Sequence, residues 1–389
     1  MELRTFIDAY IDVNILLALS LGLWFIARRV LVALGLSHAY ATQLRLLNGV
    51  FVATMISPVL AALVVALASA SPIGAGYSVN ISDFVTAQYL NGSFEMTPST
   101  FESALGFRSR VLSGVEYLDS PLGVGLVALV GLGFLFASVR LLVGVCRLCR
   151  IVRASTVWRR FGAVELRVSD TVAIPFSTRS LTRRIIVVPS SLVSSPDDLM
   201  IALTHEFQHL RQHDLEWEIA LEALRPFFFW NPAYAIWKRK FEVLRELSCD
   251  QNVVARRQRI APETYCRSLL NICENSLKPP RLIAVEVPRV ALVETRNPLI
   301  GRCSESLLKR RMNSLLEGKK ERNPRQLFAL FFAPLLMATL VGSVAIQTPQ
   351  DWSYDRLMLS TIVNLERLAV RNGTSASASL GSIAARPNF

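Results

Sequence analysis

The sequence predicts an α-helical integral membrane protein with four transmembrane helices and a mixed α+β domain inserted between the third and the fourth. Three observations carry this. Four apolar runs interrupt the chain, and each is close to the roughly 20 residues that cross a bilayer. Composition is 52% hydrophobic with a mean hydropathy of +0.38, high for a chain of 389 residues in water. The long polar section before the last run mixes short β-branched segments with amphipathic helical ones.

The first run, 7–26, carries Asp8 and Asp12 at its outer end. Arg28 and Arg29 follow it rather than precede it, which is the wrong order for a cleaved signal peptide. The second run is 47–68, and the third is 121–145 with Arg140 near its end. The fourth, 326–346, contains Pro334, which a membrane helix tolerates because neighbours satisfy the freed carbonyl. The layout expected is two transmembrane helices in 1–72, an extracytoplasmic loop in 73–120 and a third span in 121–147. A cytoplasmic domain in 148–325, a fourth span in 326–347 and an outer tail in 348–389 complete it. The Ser/Ala-rich end of that tail reads as disordered.

Charge sets the expected orientation. Arg28, Arg29 and Arg45 give the loop after the first run +3 with no acid. Residues 140–325 hold 32 basic and 19 acidic side chains, net +13. The N-terminal end is −2, the loop after the second run −3 and the tail +1, within a whole-chain +12. Both strongly basic sections belong in the cytoplasm by the positive-inside rule. All six cysteines, Cys146, Cys149, Cys249, Cys266, Cys273 and Cys303, fall on that reducing side. Cys146 and Cys149 form a lone C-x-x-C with no second pair nearby, so it reads as incidental. The basic balance does not imply a nucleic-acid partner: it clusters in 147–160 and 309–325, near membrane ends where anionic lipid headgroups lie.

His205-Glu206-Phe207-Gln208-His209 is the segment that carries chemistry. On a helix His205 and His209 stand one turn apart on one face and can hold two corners of a tetrahedral Zn²⁺ site. Glu206, one residue on, is placed to act as general base. Ser195 as N-cap, Pro196 at the first position and Asp198 mark the helix start. Leu199, Leu203, Phe207 and Leu210 give it an expected buried side.

A third ligand is expected from a second helix begun by Asn231 and Pro232. Glu246 completes a His₂Glu set with the fourth position open, the catalytic form of a zinc site. Asp250, four residues on, shares that face and is expected to support a ligand imidazole. His213 is the rival ligand, but successive four-residue steps rotate it away from a metal held by the first two. Cys249 reads as a small buried side chain. Segments 162–168 and 184–188 read as strands, and an exposed edge among them would align a substrate peptide. Which strand forms that edge is not legible. Phe227-Phe228-Phe229-Trp230 fits either core or a dip into the membrane interface.

The succession of these pieces resembles the BlaR/MecR family of antirepressor membrane metallopeptidases. The matching segments are 184–189, the H-E-x-x-H with Asp214 after it, the Trp230-Asn231-Pro232 turn and Glu246-Leu247-Ser248-Cys249-Asp250. They cover the membrane arrangement and most of 172–325. The resemblance implies a zincin-like (gluzincin) domain, zinc on His205, His209 and Glu246, Glu206 as catalytic base, and residence in a bacterial inner membrane. It also implies a protein or peptide substrate, either a transcriptional repressor or the chain itself. One departure stands out. The best-known members carry a penicillin-binding domain after the last span, and 348–389 is too short for one. Ser306 to Lys309 matches S-x-x-K only by coincidence, on the cytoplasmic side.

The function expected is that of a signal-gated zinc metalloendopeptidase hydrolysing peptide bonds on the cytoplasmic side, with membrane lipids as its surroundings and no direct nucleic-acid partner. A homodimer is compatible with this layout. The alternatives are a quality-control protease of the HtpX/CAAX-protease type and a non-catalytic membrane receptor or scaffold. The oxyanion-stabilising residue is not identifiable, Tyr234 and His213 being weak guesses.

Overall fold

The computed structural model describes residues 2–69, 81–277, 301–346 and 354–384, apart from 94, 108–109, 111–112, 116–120, 181, 257–259, 319–320 and 322. Both ends of the expected 73–120 loop, and residues 348–353 and 385–389 of the expected tail, lie outside the described residues. Helices α1 (Glu2–Ala33), α2 (Tyr40–Ser69), α3 (Ile81–Leu90), α4 (Pro98–Leu105) and α5 (Pro121–Ala154) come first. Strands β1 (Thr156–Phe161), β2 (Val164–Ser169), β3 (Phe176–Arg179) and β4 (Arg184–Pro189) follow. Then come α6 (Ser190–Val193), α7 (Pro196–Gln212), α8 (Asp214–Leu224), α9 (Pro232–Arg256) and α10 (Pro262–Leu277). The chain ends with α11 (Gly301–Leu316), α12 (Pro324–Ile346) and α13 (Tyr354–Ala384).

Four helices among the described residues are long and apolar enough to cross a membrane: Phe6–Ala33, Tyr40–Leu63, Gly123–Ala154 and Pro324–Ile346. They contain or overlap the four apolar runs of the sequence and extend past them. α2 continues through Pro58 and α12 through Pro334.

The chain divides into two compact units. The first comprises residues 1–19, 52–129 and 336–389. Its α3 and α4 cover one stripe of α13: Phe101, Leu359 and Val363 form a small core with Val85, Tyr89 and Leu105. Arg356 pairs with Asp83 at 2.8 Å, and Arg367 with Glu102 at 2.6 Å. The tail is therefore helical over Tyr354–Ala384, including the Ser/Ala-rich stretch expected to be disordered. Its first turns bury an apolar stripe that the composition of its end conceals.

The second unit comprises 20–51 and 130–335. Its sheet has the order β1-β2-β4-β3, with β2 parallel to β4 and the outer pairs antiparallel. β4 is buried on both faces, which is why it reads as a continuous apolar run. Ile185 and Val187 pack with Phe176, Val172 and Ile151 on one side. Ile186 and Val188 pack with Leu166, Leu210 and Leu215 on the other. Each such side chain contributes about 1.5–3 kcal/mol by leaving water. The expected strands 162–168 and 184–188 correspond to β2 and β4. β1 and β3 were not anticipated: β1 is exposed along its length and β3 has four residues, two of them Ser and Thr.

α9 packs on α2 through Phe51, whose ring is 5.6 Å from Trp237 and 6.3 Å from Tyr234. α2 approaches α12 closely at Gly49, where a Cβ would lie 2.7 Å from the Phe332 ring. The Phe227–Trp230 turn divides its aromatics. Phe228 is buried against Tyr234, while Phe227 meets Phe134 of α5 and Trp230 is half exposed.

Candidate metal centre

α7 opens with Pro196 at its first position and Asp197 and Asp198 in its first turn, where carboxylates suit the helix dipole. Ser195 precedes it but makes no side-chain cap bond. The buried face carries Ile201, Ala202, His205, Glu206, Gln208, His209 and Leu210. Phe207 was expected on that side and is instead 38% exposed. Two residues from His205 it is turned by about 200° around the axis.

α9 starts at the Asn231-Pro232 cap, where Asn231 Oδ1 accepts the Ala233 N–H at 2.9 Å. It delivers Glu246, Cys249 and Asp250 to the α7 face, all buried. Ser177 of β3 lines the same cavity as His205, Glu206, His209 and Glu246.

The two imidazoles meet through their Nε2 atoms, 3.0 Å apart. Their other nitrogens are engaged elsewhere. His209 Nδ1 lies 2.8 Å from Asp214 Oδ2. His205 Nδ1 lies 2.8 Å from Tyr265 Oη, and the Tyr265 hydroxyl donates to Asp250 Oδ1 at 2.8 Å. Each Nδ1 thus carries a hydrogen and donates it, so that in the neutral imidazoles, the form that binds a metal, both Nε2 lone pairs aim into one space. Glu246 faces that space, with Oε2 3.4 Å from His205 Nε2 and Oε1 3.7 Å from His209 Nε2.

A short left-handed turn makes the Asp214 contact possible. His213 has φ 61°, ending α7 and preceding α8, so that Asp214 folds straight back onto His209. A non-glycine residue there costs about 1 kcal/mol or more. The His213 side chain is 65% exposed and lies 3.6 Å from Glu216, well off the cluster.

Arg311 of α11 closes the arrangement from behind. Its Nε and Nη2 donate to the two Asp250 oxygens at 2.6 and 2.8 Å, and its Nη1 is 3.3 Å from Glu246 Oε2. The guanidinium is 2% exposed. Nothing in the local sequence sets Arg311 apart from its neighbours Lys309 and Arg310, and it was not anticipated. Tyr265 was missed for the same reason.

The electrostatics favour positive charge at the two histidines. Burial opposes the imidazolium of His209, but the Cys249 sulfur and the Glu246 and Asp214 carboxylates outweigh it and push the group up to about 10. His205 moves the same way, burial being outweighed by Cys249, Tyr265 and Asp250. Burial works to raise Asp250, yet Arg311 and His205 hold it down at about 2. Glu246 stays well below the usual carboxylate range: burial is overcome by His209, Arg311, His205 and Arg245.

Three features fit a bound cation. Two buried acceptor nitrogens point at each other, which is repulsive unless a positive species lies between them. Among the described residues Glu206 Oε2 is buried with no hydrogen-bond partner, and Glu246 Oε2 has none beyond its ion pair with Arg311, a costly condition that a ligand would relieve. The donor set of imidazole and carboxylate is the one zinc accepts.

Cys249 also belongs to the cluster. Its Sγ and the nearest ligating atoms of His205 and His209 lie within 4.8 Å of one another. The sulfur is 3.6 Å from His205 Nδ1 and donates to the His205 carbonyl at 3.6 Å. It therefore contacts the nitrogen of His205 that is already engaged, whereas Glu246 faces the free one. Tyr234 is remote in function: its hydroxyl donates to the Leu221 carbonyl and is buried.

The sequence model of one protein family, described as BlaR1 peptidase M56, matches residues 23–303, and the chain belongs to that family. No curated protein matches the chain. Arg311 lies beyond the matched residues.

Proposed function

We propose that this BlaR1-type M56 peptidase is a zinc metalloendopeptidase that cuts peptide bonds on the cytoplasmic face of a bacterial inner membrane. His205, His209 and Glu246 hold the metal in this reading, and Asp250, Tyr265, Asp214 and Arg311 position those ligands. The observation that carries it is the pair of opposed Nε2 atoms, 3.0 Å apart and faced by Glu246, with Glu206 lining the same cavity.

Zinc, when bound, polarises a scissile carbonyl and lowers the pKa of a coordinated water. The residues do the rest. Glu206 takes the water proton on Oε2 and returns it to the leaving amine. Asp214 and the Tyr265–Asp250 pair keep the two imidazoles in the tautomer that presents Nε2. β3 is a sheet edge, and a substrate strand laid beside it would pass Ser177 and the cluster. Phe176, Ser177 and Thr178 are buried here, so substrate entry requires that edge to be uncovered. This suits an enzyme that waits for a signal, whose substrate is a transcriptional repressor or the chain itself.

The test compares wild type with Glu206→Ala in the native host by mapping protein termini. New termini that appear only with wild type, in this chain or in a DNA-binding protein, support the reading and name the substrate. Identical termini across envelope stresses, with zinc bound to both proteins, would overturn it.

A further inference from the structure

Three cations from three helices meet where the first apolar helix ends. Arg28 belongs to α1, Lys240 to α9 and Arg310 to α11, all within the second unit. Each lies over an aromatic ring. Arg28 Cζ is 6.0 Å from the Trp24 centroid, Lys240 Nζ is 5.6 Å from Phe25, and Arg310 Cζ is 6.0 Å from Tyr40. The Trp24 and Phe25 rings are themselves 5.1 Å apart, so one aromatic pair carries two of the cations.

Among the described residues these charges are not neutralised: none of the three forms an ion pair with a carboxylate. Lys240 feels the crowding: burial first, and then the Arg28, Arg310 and Arg239 guanidiniums, pull it below the ordinary lysine range. All three are half-buried, so water screens them only in part. The ring faces offer some attraction, but they carry no net charge and cannot balance three cations.

We propose that Arg28, Lys240 and Arg310 form a binding site for the phosphate of an anionic lipid headgroup. A phosphodiester oxygen pair matches two guanidiniums and an ammonium converging from different helices. The lipid source, rather than a free phosphate, follows from what borders the site. Arg28 directly follows the apolar run 7–26 of α1, a helix long and apolar enough to cross a membrane, so a headgroup held there would lie where acyl chains begin. Trp24 and Tyr40 are the residue types that sit at a membrane interface. Basic pockets between helices at the cytoplasmic face are a recurring place for such headgroups. The site rests on α1 being a membrane helix and is independent of any peptidase chemistry. It joins α9 and α11, the helices that also carry Glu246 and Arg311.

The experiment is native mass spectrometry of the full chain in neutral detergent, titrated with phosphatidylglycerol, phosphatidylcholine and, separately, inorganic phosphate. Wild type should retain one phosphatidylglycerol in preference to phosphatidylcholine. Each of Arg28→Gln, Lys240→Gln and Arg310→Gln should weaken that binding about fivefold, and the three together on the order of 100-fold. Arg28→Lys with Arg310→Lys should keep most of it, and so carries the test if the triple variant does not fold. Arg159→Gln, an exposed guanidinium over Trp158 on β1, should change nothing. Equal retention of the two lipids, or unchanged phosphatidylglycerol binding in the triple variant, would overturn the proposal. Inorganic phosphate binding in place of the lipid would overturn the lipid source.

Discussion

α9 carries two buried clusters of charge, and they differ in one respect. Toward its start Lys238 meets Glu222, Glu218 and Glu242, and at mid-helix Arg245 meets Glu218 at 2.9 Å and borders the second cluster through Glu246 at 3.1 Å. On its second half Glu246, Cys249 and Asp250 meet His205, Tyr265 and Arg311. Both are desolvated, and both mix elements distant in sequence. The first is complete: among the described residues none of its side chains keeps a buried oxygen or nitrogen without a hydrogen-bond partner. The second leaves Glu206 Oε2 and Glu246 Oε2 without one and turns two lone pairs toward each other. A polar cluster whose buried atoms all find partners holds helices together. One that stays open is built around something else.

The largest expected effect is on the open cluster. His205→Ala or His209→Ala should abolish stoichiometric zinc in the purified chain, read by elemental analysis, while the fold persists in circular dichroism. Retained stoichiometric zinc in either variant would place the metal elsewhere. Glu206→Gln should separate binding from chemistry. Zinc content should stay within about threefold of wild type, while substrate hydrolysis falls on the order of 10²–10⁴-fold, the usual contribution of a general base.

An intermediate effect is expected one layer out. Tyr265→Phe, Asp214→Asn and Arg311→Lys each keep the packing but disturb a contact behind a ligand. Each should lower zinc affinity about 10–100-fold in a chelator competition. An affinity equal to wild type in all three would mean that the outer contacts serve the fold alone.

The closed cluster gives the smallest effect and the contrast. Lys238 and Arg225 hold the Glu222 carboxyl below the ordinary range against the pull of burial. A group depressed in the folded state contributes stability above its unfolded pKa, and that contribution is lost as pH falls through the folded value. Glu222→Gln should therefore cost about 1 kcal/mol at pH 7, and the gap in melting temperature from wild type should close at acid pH. Zinc affinity should not move.

Much of the open cluster is legible in the sequence because its parts are local. His205, Glu206 and His209 share one helical turn, and Asn231-Pro232 announces the helix that brings Glu246. The residues that hold them are legible only in part. Asp214 follows the motif closely but depends on a left-handed turn at His213 that no pattern signals. Tyr265 and Arg311 reach the cluster from 60 and 61 residues away from their partners His205 and Asp250. Such contacts leave no periodic trace. In the sheet, β4 stood out because both its faces are buried, while β1, exposed throughout, gave no alternation to read.

The choice between Glu246 and Cys249 as third ligand is the point on which the chemistry turns. X-ray absorption at the zinc edge of the loaded, full-length chain decides it. The expected first shell holds only nitrogen and oxygen at about 2.0–2.2 Å. A sulfur scatterer at about 2.3 Å would put Cys249 on the metal and contradict the His205, His209 and Glu246 centre.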